Sequence, residues 1–100
     1  MKLVDLARVV RSKNAGPLKV TIDIMFDDEE SYRKAAASAA LSPSNLARLY
    51  GRQQGEVEVM PYPQGLAIKL VMERQVIAGS PGDSDVYGAQ QHGPLLELEI

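Results

Sequence analysis

From Leu18 to Phe26 the chain alternates without a break. Leu18, Val20, Ile22, Ile24 and Phe26 are apolar, and Lys19, Thr21, Asp23 and Met25 stand between them. A period of two over nine residues commits this stretch to a β-strand with one greasy face and one mixed face. Two further stretches share the habit: EVEVMPY from Glu56, and LAIKLVMER from Leu66. They are joined through Pro61, Pro63, Gln64 and Gly65, the residues of a hairpin connection, and the prolines make 56–62 an edge strand. LLELEI, with Leu96, Leu98 and Ile100 against Glu97 and Glu99, reads as a fourth strand.

The remaining segments carry helical spacing. Leu3, Leu6, Ala7 and Val10 fall at i, i+3, i+4 and i+7, which predicts an N-terminal helix stopped by Gly16 and Pro17. DDEESYRKAAASAAL predicts a second, capped by Asp27 with Glu30 returning to the cap, and with Tyr32, Ala35, Ala36 and Ala39 inward. Ser42-Pro43 opens a third, short helix with Leu46, Leu49 and Tyr50 inward, and Gly51 closes it. One greasy and one polar sheet face describe an antiparallel sheet with helices on one side. The element order then predicts an α+β fold: a ferredoxin-like split βαβ with an extra N-terminal helix, in one domain over 1–100. In that arrangement the end of the third strand lies beside the start of the first. The nominally polar face also carries Met25, Met60, Tyr62 and Val71, which points to docking or self-association there.

Composition narrows the partners. Eleven basic against thirteen acidic residues, one Phe and no Trp argue against nucleic acid. No cysteine is present, so thiolate chemistry and disulfides are excluded. The sequence has neither a secretory signal pattern nor a run long enough to span a membrane, and a cytoplasmic location is expected.

The chemistry concentrates in residues 77 to 94, IAGSPGDSDVYGAQQHGP, where four glycines and two prolines frame acids, amides and the only histidine. Asp83, Asp85 and His92 offer metal-ligand types, though at no recognised spacing. His92 with Tyr87 or an aspartate offers acid–base chemistry. Tyr87, Gln90, Gln91 and His92 also suit an interface. Beside these stands a purely structural role, glycines shaping a crossover while the amides and imidazole satisfy backbone groups. If the topology holds, Arg11, Lys13 and Asn14 meet the start of this loop and its Ser80, Asp83 and Asp85. There a cation pair beside turn amides would hold a carboxylate or phosphate, or would merely end a helix. Neither a Walker nor a dinucleotide fingerprint is present, and no cofactor is named by the sequence.

RSKNAGP, TIDIMFDDEESY, LARLYG and above all SPGDSDVYGAQQHGPLLELEI resemble the small bacterial family catalogued as domain of unknown function 4387, from Leu3 to Ile100. Gly93 stands where that family's motif has alanine. The resemblance carries signature positions onto Arg11, Ser12, Lys13, Asn14, Gly16, Asp27, Asp83, Asp85, Tyr87, Gly88, Gln90, Gln91 and His92. It implies a companion of AtuA-like proteins, named for acyclic terpene utilisation, in the catabolism of organic acids or acyl-CoA esters. The expected function is an accessory subunit whose polar sheet face and loops dock on such a partner, with His92, Asp83 and Asp85 completing a shared site. Two alternatives are a homo-oligomeric lyase- or hydratase-like enzyme, with His92 as acid or base and Arg11 and Lys13 gripping a carboxylate, and a small-molecule-binding module.

Overall fold

A computed structural model describes residues 1–73 and 92–100. Its sheet has four antiparallel strands: β1 (Val9–Asn14), β2 (Lys19–Met25), β3 (Val57–Tyr62) and β4 (Ala67–Glu73), in the spatial order β1-β2-β4-β3. Three helices accompany it: α1 (Leu3–Leu6), α2 (Glu29–Ala36) and α3 (Pro43–Tyr50). The fold is α+β, with β4 inserted between the parallel pair β2 and β3. Lys19 lies opposite Glu73, so the end of β4 meets the start of β2 as the alternation requires. β3 is the edge strand its prolines demand.

The edge beside β2 differs from expectation. It is filled by β1, from the segment read as helix, and not by the C-terminal LLELEI. All four spaced residues do reach the core: Leu3 is fully buried, and Leu6, Ala7 and Val10 pack against it. The helix nevertheless ends at Leu6, because Ala7 turns to extended backbone and the β-branched pair Val9-Val10 continues as strand. β2 needs an edge partner, and a hairpin through Gly16, at φ 82°, supplies one at little loop-closure cost. Ala15 N–H donates to the Lys19 carbonyl to close it (2.9 Å).

The C-terminal segment is displaced from the sheet by that hairpin. A 3-10 turn at Gly93–Leu95 buries Leu95 completely, and beyond it the chain pairs with the N-terminus. Leu3 N–H donates to the Leu98 carbonyl (2.8 Å), and Lys2 and Glu99 form a single bridge. Ion pairing of Lys2 with Glu97 raises the Lys2 ammonium above its ordinary range.

The helices follow their caps. Asp28, not Asp27, caps α2 by accepting from Ser31 N–H (2.7 Å), and this hydrogen bond holds its carboxyl below the usual range. Asp27 pairs instead with Arg8 (3.1 Å). α2 stops at Ala36, leaving Ala36 and Ala39 exposed, since Ser38 caps a new 3-10 turn at Ala39–Leu41. In α3 Ser42 accepts from Asn45 N–H (3.2 Å), Pro43 takes the first helical position, and Gly51 closes the helix at φ 66°. Leu46 and Ala47 are its buried residues, and Leu49 is exposed. Leu18 is exposed as well, because it sits in the β1–β2 turn just before its strand begins.

One core joins Val20, Ile22, Ile24, Ile68, Leu70 and Met72 of the inner strands to Tyr32, Ala35, Leu46 and Ala47 of the helices. The helices cover one sheet face, and among the described residues no helix packs over the other, the open face. Among the described residues no helix is long and apolar enough to cross a membrane.

Candidate functional site

Residues opposite one another in an antiparallel ladder share a face. Val10, Ser12 and Asn14 stand opposite Ile24, Ile22 and Val20, so they belong to the covered face. Val9, Arg11 and Lys13 belong to the open one. The inner face of β1 thus turns polar toward its hairpin end. Ser12 on this face, only 8% exposed, and Thr21 on the other, opposite Lys13, are the buried polar residues among those described.

The Ser12 side chain meets His92. Its Oγ lies 3.3 Å from His92 Nδ1, across 80 positions of sequence. The histidine is held from the other side too. It precedes the Gly93–Leu95 turn, whose Pro94 restricts the backbone, whose Leu95 is anchored in the core, and whose Leu95 N–H donates to the His92 carbonyl (3.0 Å). Half-buried Asn14 shares the same face two residues along β1.

The cations grouped with this region by sequence are turned away from it. Arg11 is exposed on the open face with its Nε 3.6 Å from Asp23 Oδ2, and Lys13 is exposed opposite Thr21. Arg11 and Lys13 are thus separated from Asn14 and His92 by the thickness of the sheet. This is a consequence of strand alternation that a helical reading of the segment conceals. Ser80, Asp83, Asp85, Tyr87, Gln90 and Gln91 lie outside the described residues. Among the described residues no three His, Asp or Glu side chains gather where a metal ion could be held.

Ser12 has no role in a reading from residue type and spacing; only the family resemblance carries it as a signature position. The signal that finds it is a small polar residue at an inward register position between Val10 and Asn14. That signal becomes legible once β1 is known to be a strand.

A hydroxyl on one imidazole nitrogen has two chemical consequences. It orients the ring, and it occupies Nδ1, so that any further bond of the ring is made by Nε2. The two tautomers differ at Nε2: if Ser12 donates to Nδ1, Nε2–H is a hydrogen-bond donor; if Nδ1–H donates to Ser12, Nε2 presents a lone pair that can accept a proton. Clefts among the described residues lie elsewhere, one of them beside Met1, Leu6 and Lys34. Another, of about 200 Å³, is lined by Lys19, Glu56, Glu58 and Glu73, and one of about 470 Å³ separates α3 from the C-terminal segment.

These features define a class: an α+β domain with a serine–imidazole pair on the helix-covered side of its edge strand. The chain belongs to the family described as Domain of unknown function (DUF4387), whose model matches residues 3–99. No curated protein and no solved structure matches it.

Proposed function

We propose that this protein is an accessory subunit that docks on a larger AtuA-like partner in organic-acid or acyl-CoA catabolism. It contributes His92, positioned by Ser12, to a site completed at the junction. The observation behind this reading is the Ser12–His92 pair itself. It is held by the core on one side and the C-terminal turn on the other, yet Arg11 and Lys13 face the opposite way. Neither of these cations is placed to neutralise an anionic substrate at His92, and a larger partner would supply that counter-charge. In this role His92 Nε2 exchanges a proton with the substrate, and Ser12 holds the ring through Nδ1.

Co-expression with the AtuA-like protein followed by light scattering tests the docking, and a stable mixed complex is expected. His92→Ala should then leave the complex intact and lower its turnover by about 100-fold or more. Ser12→Ala should lower it less and move the pH profile. A chain that never co-purifies with the partner overturns the reading. The same pair, assembled within one chain, also favours a self-contained homo-oligomeric lyase- or hydratase-like enzyme. Turnover of a carboxylate substrate by this chain alone, lost in His92→Ala, would select that alternative.

A further inference from the structure

The open face of the sheet is laid out in cross-strand rows. One row runs Arg11, Asp23, Lys69, Met60 from β1 to β3. The next runs Lys13, Thr21, Val71, Glu58, and the one on the other side Val9, Met25, Ala67, Tyr62. On the two central strands Lys19 stands opposite Glu73. Asp23 is largely enclosed, its side chain 13% exposed. Its ion partner Arg11 is 3.6 Å away, too far for a hydrogen bond.

We propose that this face seats a second copy of the chain, stacked sheet on sheet about a two-fold axis parallel to the strands and midway between β2 and β4. Such an axis keeps every row over itself and reverses its order. Lys13 then faces the partner's Glu58, Asp23 the partner's Lys69, and Lys19 the partner's Glu73. Each contact occurs twice by symmetry. In the third row Val9 meets the partner's Tyr62 and Met25 the partner's Ala67. Each acid in these rows meets a base, and Arg11 keeps Asp23 within its own chain. A two-fold axis across the strands would instead stack Arg11 on the partner's Lys13, like charge on like charge. The strand-parallel axis also suits two twisted sheets, which pack with strand directions within about 30° of each other.

Area and chemistry agree with the symmetry. Four strands about 4.8 Å apart and about seven residues long make a patch of roughly 20 by 23 Å. Two such patches bury on the order of 1,000 Å², the lower bound of a specific interface. Burial of Met25, Met60, Val71 and Tyr62 drives the association, while the charges fix its orientation and register. This surface lies on the opposite side of the sheet from Ser12 and His92; a second copy seated here takes the face that the sequence reading assigns to the larger partner, which then docks on the His92 side.

The experiment uses two single charge reversals, Lys13→Glu and Glu58→Lys. Both residues are exposed and lie on opposite edge strands, so neither touches the fold's core. Sedimentation of the unaltered chain at about 50 μM should give about twice the 10.9 kDa chain mass. Either variant alone places like charges together twice and should weaken the dimer by at least about tenfold. Mixed one to one, the two variants restore both opposite-charge contacts, and the dimer should return as a heterodimer. A monomeric parent chain, single variants that associate as well as the parent, or a mixture that stays monomeric each overturns the proposal.

Discussion

Tyr50 shows how one residue ties α3 to the pH response of the fold. It packs against the core from the end of α3, and burial pushes its hydroxyl far above the ordinary phenol range, with the nearby Arg52 charge opposing weakly. The folded chain therefore holds a neutral phenol where the unfolded chain ionises, near pH 10. A raised pKa contributes stability that is complete below the unfolded value and is lost as pH rises beyond it. Thermal unfolding of the parent chain should drop between pH 9 and pH 11, and Tyr50→Phe should drop less, by roughly 1 kcal/mol at the upper end. Equal alkaline losses in both proteins would assign the drop to other groups. The carboxyl of Asp28 works in the reverse sense. Its lowered pKa makes the α2 cap strongest above the ordinary carboxylate range and weaker in acid.

At the scale of elements, the β1–β2 hairpin decides both the sheet and the site. Gly16 occupies the left-handed region at φ 82°, and a Cβ added there would meet no atom within 4 Å. The cost of Gly16→Ala is thus conformational alone, about 1 kcal/mol, read as a lower midpoint in urea. Because β1 carries Ser12, the variant should also perturb the His92 ring resonances, which a lesion confined to the turn would leave in place. The sequence is a good guide where one periodicity dominates. The alternation of β2 and β4, the edge prolines of β3, and the Ser42, Pro43 and Gly51 signals of α3 all appear where the pattern puts them. It misleads where two periods coincide. Leu3, Leu6, Ala7 and Val10 are inward as helical spacing requires, yet Val10 reaches the core from a strand. That error hides the alternation of Arg11, Ser12, Lys13 and Asn14. The cations therefore fall in with Asn14 and His92 on paper, although the sheet separates them, and Ser12 goes without a role. LLELEI alternates correctly for a strand, but a local hairpin already fills the edge beside β2 expected for it.

For the whole molecule, the covered sheet face holds the core while the C-terminal segment closes it against the N-terminus. Leu95 is fully buried in the turn after His92, whereas Leu98 only packs against the core from its rim, with its carbonyl accepting from Leu3 N–H. The two leucines have the same chemistry but different enclosure, so truncation separates anchoring from covering. Leu95→Ala removes atoms from a site with no solvent to refill it and should cost about 2–5 kcal/mol. Leu98→Ala leaves its backbone hydrogen bond intact and opens onto water, so it should cost about 1 kcal/mol. Urea unfolding with an unchanged m-value would report both as losses of native stability. Leu95→Ala should further release His92 from Ser12, because the turn that places the imidazole is pinned by that side chain. Equal, small losses for the two variants would mean that the C-terminal segment is not seated in the core, and His92 would then lack the support that makes its pairing with Ser12 specific.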